Sequence, residues 1–206
     1  MKENFKGEMI MQSLRTFYSL GLSQLEVIDN CILFYIAGYD TASVALAWLI
    51  RRLALDPTRQ DILFKEIDNA FPNKSPPDYD NVTKLDYLNA CIHESLRLNS
   101  SLVRIERVAT QDTQLGPAWV PKGTYISIPL HYVHRDPDNF DQPDDFIPER
   151  FMPENRKSIK AGTFLSFADG PRNCIGMRFA LTEMKLTMCK LLQRYKFVAC
   201  EETKVS

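Results

Sequence analysis

The stretch FADGPRNCIG, residues 167–176, carries the strongest signal in the chain. Its cysteine, Cys174, lies two residues after Arg172 and two before Gly176. Helical periodicity begins directly after Gly176, which places the sulfur near a helix N-terminus, where free N–H groups and the helix dipole favour a thiolate. Glycine lets backbone approach a bulky ligand closely, and Arg172 adds a fixed positive charge suited to a carboxylate or phosphate. We interpret Cys174 as a metal ligand.

The bulk composition restricts the class of protein. A length of 206 residues corresponds to one domain or to a piece of a larger one. With 45% hydrophobic and 11% aromatic residues, the chain can bury a sizeable core and is not disordered. Its net charge of -1 gives no electrostatic basis for a nucleic-acid partner. The odd number of cysteines without a CxxC pair argues against a disulfide framework and a structural zinc site, and favours a reducing compartment.

The first residues predict little regular structure. Residues 1–7 are charged and polar, which predicts neither a signal peptide nor a membrane anchor. A short helix is expected around residues 8–18, with a break at Gly21. Ser23 followed by Glu26 fits the capping box that begins many helices.

A long apolar segment follows, from about Gln24 to Leu55. Between Asp29 and Arg51 its only formal charge is Asp40. Two interpretations apply: a transmembrane helix, since the run is long enough to span a bilayer, or a buried helix that crosses a large core. An aspartate at the bilayer centre costs roughly 2.5–3.5 kcal/mol. The buried helix is therefore the preferred expectation.

Small and polar residues cluster in the middle of this helix. Ala37 and Thr41 are four apart, and Gly38 and Thr41 are three apart, so they can share a face beside Asp40. This notch has two interpretations that the residues alone leave open. It is either room for a ligand with a proton relay, or a packing notch against another helix in which Thr41 bonds back to a carbonyl.

The rest of the chain mixes helices with a few short strands. Helical patterns cover residues 57–70, 86–99 and 177–193, and strand patterns cover 103–109 and 124–133, with a turn at 121–123 and a further strand start at 195–198. Residues 134–163 are expected to be irregular but ordered by their prolines. His131 and His134 are interpreted as surface or hydrogen-bonding side chains rather than metal ligands.

Three charged residues outside the cysteine stretch are candidates for one cluster. Glu94 and Arg97 are three apart on an apolar helix and can pair. A buried pair would need further partners, and Arg150 in the irregular segment is a candidate partner for Glu94.

Four separated stretches together resemble the cytochrome P-450 family. The cysteine stretch resembles its FxxGxRxCxG signature, and residues 37–41 resemble its oxygen-activating segment. Residues 94–97 match its ExxR element, and residues 148–151 match its PERF element. They occur in the family's order. The sequence around Cys174 looks most like that of eukaryotic microsomal members that oxidise xenobiotics and steroids.

The resemblance implies a mainly α fold with a small β part, in which residues 1–206 form the C-terminal part of a P-450 domain. It also implies haem b as cofactor, with Cys174 as the axial thiolate. Around the haem, the resemblance implies that Arg172 and Arg107 contact the propionates, that Phe167 shields the ligand loop and that Gly38 leaves space above the ring. It implies that Asp40 and Thr41 deliver protons and that Leu102 and Val103 line the substrate site. The structural triad that it implies consists of Glu94, Arg97 and Arg150.

The implied function is a haem-thiolate monooxygenase that inserts one oxygen atom of O2 into an apolar organic substrate of the xenobiotic, steroid or lipid type. Its electrons would come from an NADPH-dependent reductase, with cytochrome b5 as a further candidate. The alternatives are a truncated, catalytically incompetent fragment and a haem-thiolate isomerase, for which Asp40 and Thr41 would be unnecessary. Full-length members are expected at the endoplasmic reticulum membrane, and no anchor is expected in this chain. The chain departs from the family at residues 99–101, where members usually carry a proline.

Overall fold

The computed structural model describes residues 21–203. The helix expected around residues 8–18 lies outside them. Two small antiparallel sheets accompany the helices, and the fold is mainly α with a small β part, as predicted. The helices are α1 (Gln24–Leu55), α2 (Pro57–Ala70), α3 (Tyr79–Val82), α4 (Asp86–Leu98), α5 (Leu130–Val133) and α6 (Met177–Leu192). The strands are β1 (Arg104–Val108), β2 (Thr113–Leu115), β3 (Ala118–Val120) and β4 (Tyr125–Pro129), paired β1 with β4 and β2 with β3.

The first two helices begin where their local signals predict. The backbone N–H of Ser23 donates to Glu26 Oε2 at 2.7 Å, and the N–H of Glu26 donates to Ser23 Oγ at 3.3 Å. These reciprocal bonds confirm the capping box, which satisfies donors that a helix start leaves without partners. At the start of α2, Asp56 Oδ1 accepts from the N–H of Arg59 at 3.0 Å, and Pro57 occupies the first turn.

The described chain divides into two compact units, the first ending at Asp40 and the second beginning at Thr41. Within α1, every described residue from Gln24 to Thr41 is exposed except Val27. The expected burial of α1 is therefore wrong for this half of the helix, whereas Ala42, Ala45, Leu49 and Leu53 in the second half are buried. By length and composition α1 is also able to cross a membrane, a test that core helices of soluble proteins pass too. The expected lack of an anchor is thus not confirmed.

The core of the second unit forms where four helices meet. The C-terminal half of α1 contributes Leu49 and Leu53, and α4 contributes residues 87–98, all of them buried except Asn89. Apolar packing of this kind is the main stabilising term of a domain. Further core members come from α2, α6 and the connections between helices: Leu63, Ile67, Phe71, Val82, Leu85, Met184, Met188, Cys189 and Leu192.

Two predicted strands differ from what the structure shows. The strand expected over residues 124–133 ends at Pro129 and is followed by α5, because proline donates no ladder hydrogen bond and the chain turns. The strand expected at residues 195–198 is absent from the described chain. The Gln60 side chain binds both backbone groups of Phe197 instead, accepting from its N–H at 2.8 Å and donating to its carbonyl at 2.9 Å.

The start of α4 is capped from another helix. Its own N-cap residue, Leu85, forms no side-chain cap bond. Glu66 on α2 accepts from the N–H groups of Tyr87 at 2.7 Å and Leu88 at 2.9 Å. A carboxylate at this position satisfies two orphan donors and faces the positive end of the helix dipole. It ties α2 to the helix that carries Glu94 and Arg97.

We therefore expect Glu66→Ala to lower the free energy of unfolding by about 1–3 kcal/mol, because two buried donors lose their acceptor. Urea unfolding followed by circular dichroism measures the change. The matched control is Asp68→Ala, an exposed carboxylate two residues along the same helix. Equal stability of the two variants would contradict the capping role.

Candidate functional site

The cysteine stretch folds into a closed loop between the irregular segment and α6. The N–H of Cys174 donates to the carbonyl of Phe167 at 2.8 Å and closes the loop. A short 3-10 helix, Gly170–Arg172, lies between them, and Asp169 accepts from the N–H of Gly170 at 2.7 Å. Helix α6 begins at Met177. The cysteine therefore lies just before the helix N-terminus, in a loop that the backbone itself holds.

The thiol of Cys174 faces outward in this loop. Cys174 is exposed, as are its neighbours Ile175 and Phe179, at 87% and 72%. A Cβ at Gly176 would lie 4.0 Å from the sulfur, an ordinary van der Waals distance. Ala168 has a φ of 58°, a left-handed conformation that costs a non-glycine residue roughly 1–2 kcal/mol. The loop is thus held in a strained shape that presents one sulfur to its surroundings.

Phe167 and Ala168 fasten the start of the loop to the core. Phe167 is half-buried and packs against the main core, whereas Ala168 packs against a smaller cluster of Ile105, Leu130 and Leu165. The loop therefore starts where two apolar clusters meet, and its position depends on both.

Behind the loop, α4 carries a fully buried ion pair. Both side chains, Glu94 and Arg97, have no exposed surface. Arg97 Nε donates to Glu94 Oε2 at 2.7 Å and Arg97 Nη2 donates to Oε1 at 2.8 Å, a two-pronged contact. Such bidentate pairs are among the stronger charge-assisted hydrogen bonds.

The remaining donors of Arg97 bind backbone carbonyls of the irregular segment. Nη1 donates to the carbonyls of His134 and Pro143, both at 2.7 Å, and Nη2 donates to that of Asp145 at 3.1 Å. All five N–H groups of the guanidinium therefore have an acceptor. The guanidinium also lies over the ring of Phe140, 4.9 Å from its centre.

Arg150 joins the same carboxylate from the irregular segment. Its Nε lies 3.4 Å from Glu94 Oε1, which also accepts from the N–H of Ile147 at 2.9 Å. Its Nη2 donates to the carbonyl of Gln142 at 2.9 Å. The structure thus brings Glu94, Arg97 and Arg150 together, and these contacts fix a segment of little regular structure.

His134 links this cluster to the cysteine loop. Its Nε2 accepts from the N–H of Leu165 at 2.9 Å, so its Nδ1 carries the proton and donates to the carbonyl of Arg97 at 3.0 Å. The side chain is fully buried, and burial lowers its pKa to about 4.

His131 is exposed, with its Nδ1 2.8 Å from Arg135 Nη1. Among the described residues there is no group of three or more metal-binding side chains.

The other predicted site residues lie at the surface. Arg172 is exposed in the loop, and Arg107 is exposed on β1 with its Nη1 donating to the carbonyl of Glu106 at 2.8 Å. Leu102 and Val103 are exposed between α4 and β1. In the second unit Thr41 contributes its carbonyl to a bond from Ser101 Oγ at 2.9 Å. In the first unit Gly38 and Asp40 are exposed on α1.

Sequence reasoning missed two residues of this region. Asn99 accepts from Arg52 on α1 at 2.9 Å, and Ser101 donates to Thr41 on the same helix. The available signal was a run of three polar residues, Asn99 to Ser101, directly after an apolar helix. It indicated a turn without indicating what the turn binds.

The residues of the loop fit a large planar iron cofactor. An exposed sulfur at a helix N-terminus is a suitable thiolate ligand. The exposed apolar side chains beside the sulfur suit an apolar ring, and exposed arginines suit carboxylate substituents. The single cysteine, without further metal-binding groups among the described residues, suits a metal that arrives with its own ring of ligands.

We expect Arg97→Lys to lower the free energy of unfolding by about 3–5 kcal/mol, because lysine cannot reach the carboxylate and three carbonyls at once and leaves buried groups unpaired. Chemical denaturation measures the loss. Arg178→Lys, an exposed position on α6, is the control and should change stability little. A tolerated Arg97→Lys would show that the buried network does not stabilise the fold.

Stability should also fall on acidification below about pH 6.5. Burial lowers the pKa of both His134 and His93 to about 4. Since the unfolded state binds more protons between about pH 4 and 6.5, each histidine should remove about 2 kcal/mol of stability by pH 5. Urea unfolding at pH 7, 6 and 5 tests this. His134→Gln should flatten the slope, and His131→Gln, at an exposed position, should leave it unchanged; the reverse result would refute the assignment.

Comparison with known proteins identifies the family of this chain. Residues 9–206 match the family model described as Cytochrome P450. The chain is 44% identical over 184 residues to Cytochrome P450 3A1 of Rattus norvegicus, and 43% identical over 184 residues to Cytochrome P450 3A7 of Homo sapiens. These alignments cover 89% of this chain but only 36% and 37% of the relatives. The chain thus spans little more than a third of the length of the relatives it matches, and it belongs to the cytochrome P450 family, whose members bind haem b.

Proposed function

We propose that this chain is the catalytic C-terminal portion of a haem-thiolate monooxygenase, which inserts one oxygen atom of O2 into an apolar organic substrate of the xenobiotic, steroid or lipid type. The observation that supports it best is the exposed Cys174 thiol in a backbone-closed loop, joined to a buried charge network through His134. The haem, when bound, supplies the binding and reductive activation of O2.

The cysteine loop holds the cofactor in this proposal. Cys174 would provide the thiolate ligand, and the half-buried Phe167 would exclude water from the protein side of the sulfur. Arg172 and Arg107 would hold the carboxylate groups of the haem through charge-assisted hydrogen bonds. Both arginines are exposed, which supports this role, because their guanidinium groups are accessible to a ligand.

Helix α1 supplies the groups that handle protons. Asp40 donates protons, and the hydroxyl of Thr41 holds a water or a proton. Gly38 has no side chain and so leaves space for O2 beside the helix. The roles rest on the resemblance of residues 37–41 to the family's oxygen-activating segment. At Gly38 an added Cβ would meet no atom within 4 Å, so the surface is open there. Leu102 and Val103 form an apolar wall for the substrate.

The partners and location follow from the same proposal. Electrons come from an NADPH-dependent reductase, with cytochrome b5 as a second candidate donor, and the full-length protein resides at the endoplasmic reticulum membrane. Residues 1–206 form part of one P450 domain. Nucleic acid is not a partner, because the net charge of -1 provides no basic surface in excess.

A fragment without turnover is the second candidate function. Large apolar side chains of α1 are exposed, among them Leu33, Phe34 and Ile36 at more than half of their surface. A continuous apolar surface of this kind requires a covering partner. A haem-thiolate isomerase is disfavoured, because it would have no need of Asp40 and Thr41.

The spectrum of the reduced, CO-bound, haem-reconstituted chain tests the proposed ligand. A strongly red-shifted Soret band is expected, and Cys174→Ser should abolish it because the thiolate is lost. Cys200→Ser is the matched control, since Cys200 is also an exposed thiol. A histidine-type spectrum, or a band that survives in Cys174→Ser, would remove Cys174 as the ligand.

Turnover with an NADPH-dependent reductase then separates the first two candidates. A monooxygenase forms alcohol from an apolar probe such as ethylbenzene, at a rate that Thr41→Ala lowers. A fragment shows the thiolate spectrum without forming product. Product that forms at an equal rate in Thr41→Ala would refute the role of the threonine.

A further inference from the structure

The turn between α4 and β1 is attached to α1 at two places. Ser101 Oγ donates to the carbonyl of Thr41 at 2.9 Å, and Arg52 Nη2 donates to Asn99 Oδ1 at 2.9 Å. Thr41 and Arg52 are separated by 11 residues of one helix, about 16 Å along its axis. Two bonds so far apart restrain both the position and the tilt of the turn on the helix.

These bonds add to the backbone contacts at the start of the turn, where the N–H of Asn99 donates to the carbonyl of Ser95 at 2.8 Å. The sequence contains no proline between Pro77 and Pro117, so no ring restricts the turn. At its far end the carbonyl of Val103 accepts from the N–H of Leu130 at 3.1 Å, directly before β1. Leu102 and Val103 therefore lie between an anchor on α1 and an anchor on α5, while their own side chains are 52% and 78% exposed.

We propose that Asn99 and Ser101 are positioning residues, which hold the apolar wall of Leu102 and Val103 in a fixed register against the helix that carries Thr41. The inference rests on the proposed function, in which the wall contacts the substrate and Thr41 handles protons. A substrate that packs against Leu102 and Val103 then presents one of its carbons to the reacting centre. Loss of either bond shifts the wall and changes which carbon is oxidised.

The adjacent serine provides a matched control. Ser100 Oγ is buried and has no hydrogen-bond partner among the described residues, whereas Ser101 Oγ binds Thr41. Ser100→Ala and Ser101→Ala remove the same atom from neighbouring positions. Only the second removes a bond to α1, so a difference between the two variants reports that bond.

Hydrogen exchange of the full chain tests the attachment without depending on haem or turnover. In Ser101→Ala, amides of residues 99–104 should exchange about two- to tenfold faster, the range that corresponds to the loss of one hydrogen bond. Ser101→Thr keeps a hydroxyl and should restore protection, and Ser100→Ala should leave it unchanged. Equal exchange in Ser100→Ala and Ser101→Ala would overturn the attachment.

The product distribution tests the consequence. Oxidation of ethylbenzene at its benzylic, terminal and ring carbons gives distinguishable hydroxylated products. Ser101→Ala and Asn99→Ala should each change the ratio of these products by about twofold or more, as expected when one hydrogen bond is lost. Ser100→Ala and Ser101→Thr should keep the wild-type ratio. An unchanged ratio in Ser101→Ala would refute the positioning role, because a loss of stability alone lowers the yield without altering the ratio. If the wild-type chain forms no product, the proposed function fails, and the exchange result alone upholds or refutes the attachment.

Discussion

The buried pair of Glu94 and Arg97 is the interaction on which the second unit depends. Two charges without exposed surface are unfavourable unless every polar atom finds a partner. Here Arg97 uses all five N–H groups, and Glu94 also accepts from Arg150 and from the backbone of Ile147. The requirement to satisfy these charges brings α4 and the irregular segment into one arrangement.

The cysteine loop is connected to this charge network through the buried side chain of His134. His134 uses one ring nitrogen for the carbonyl of Arg97 and the other for the N–H of Leu165, two residues before Phe167. Both nitrogens are occupied, so the ring has a single tautomer and orientation. A chain of hydrogen bonds thus runs from the buried carboxylate to the loop that presents Cys174, and a ligand bound there would meet a site formed before it arrives.

Local signals in the sequence predicted local features and missed those that depend on distant residues. The capping box at Ser23 and the helical pattern from residue 57 predicted two helix starts correctly, because neighbouring residues determine them. The i,i+3 spacing of Glu94 and Arg97 indicated a pair, but the partners of Arg97 in the backbone gave no signal. The burial of the first half of α1 was mispredicted, since an apolar pattern shows that a surface is suited to burial and not which residues bury it. The left-handed conformation of Ala168 was not predicted either, because an alanine in the sequence does not indicate a positive φ as a glycine does.

The way in which Arg97 holds the irregular segment bears on how this region tolerates change. The arginine contacts the carbonyls of residues 134, 143 and 145, groups that every amino acid carries. Of these three, only His134 is also used through its side chain. The hydrogen bonds at positions 143 and 145 therefore depend on the path of the backbone and not on the side chains there. One arginine on a helix thus positions a segment through groups that are the same in every amino acid, and substitutions that keep the backbone path of the segment should leave the loop undisturbed.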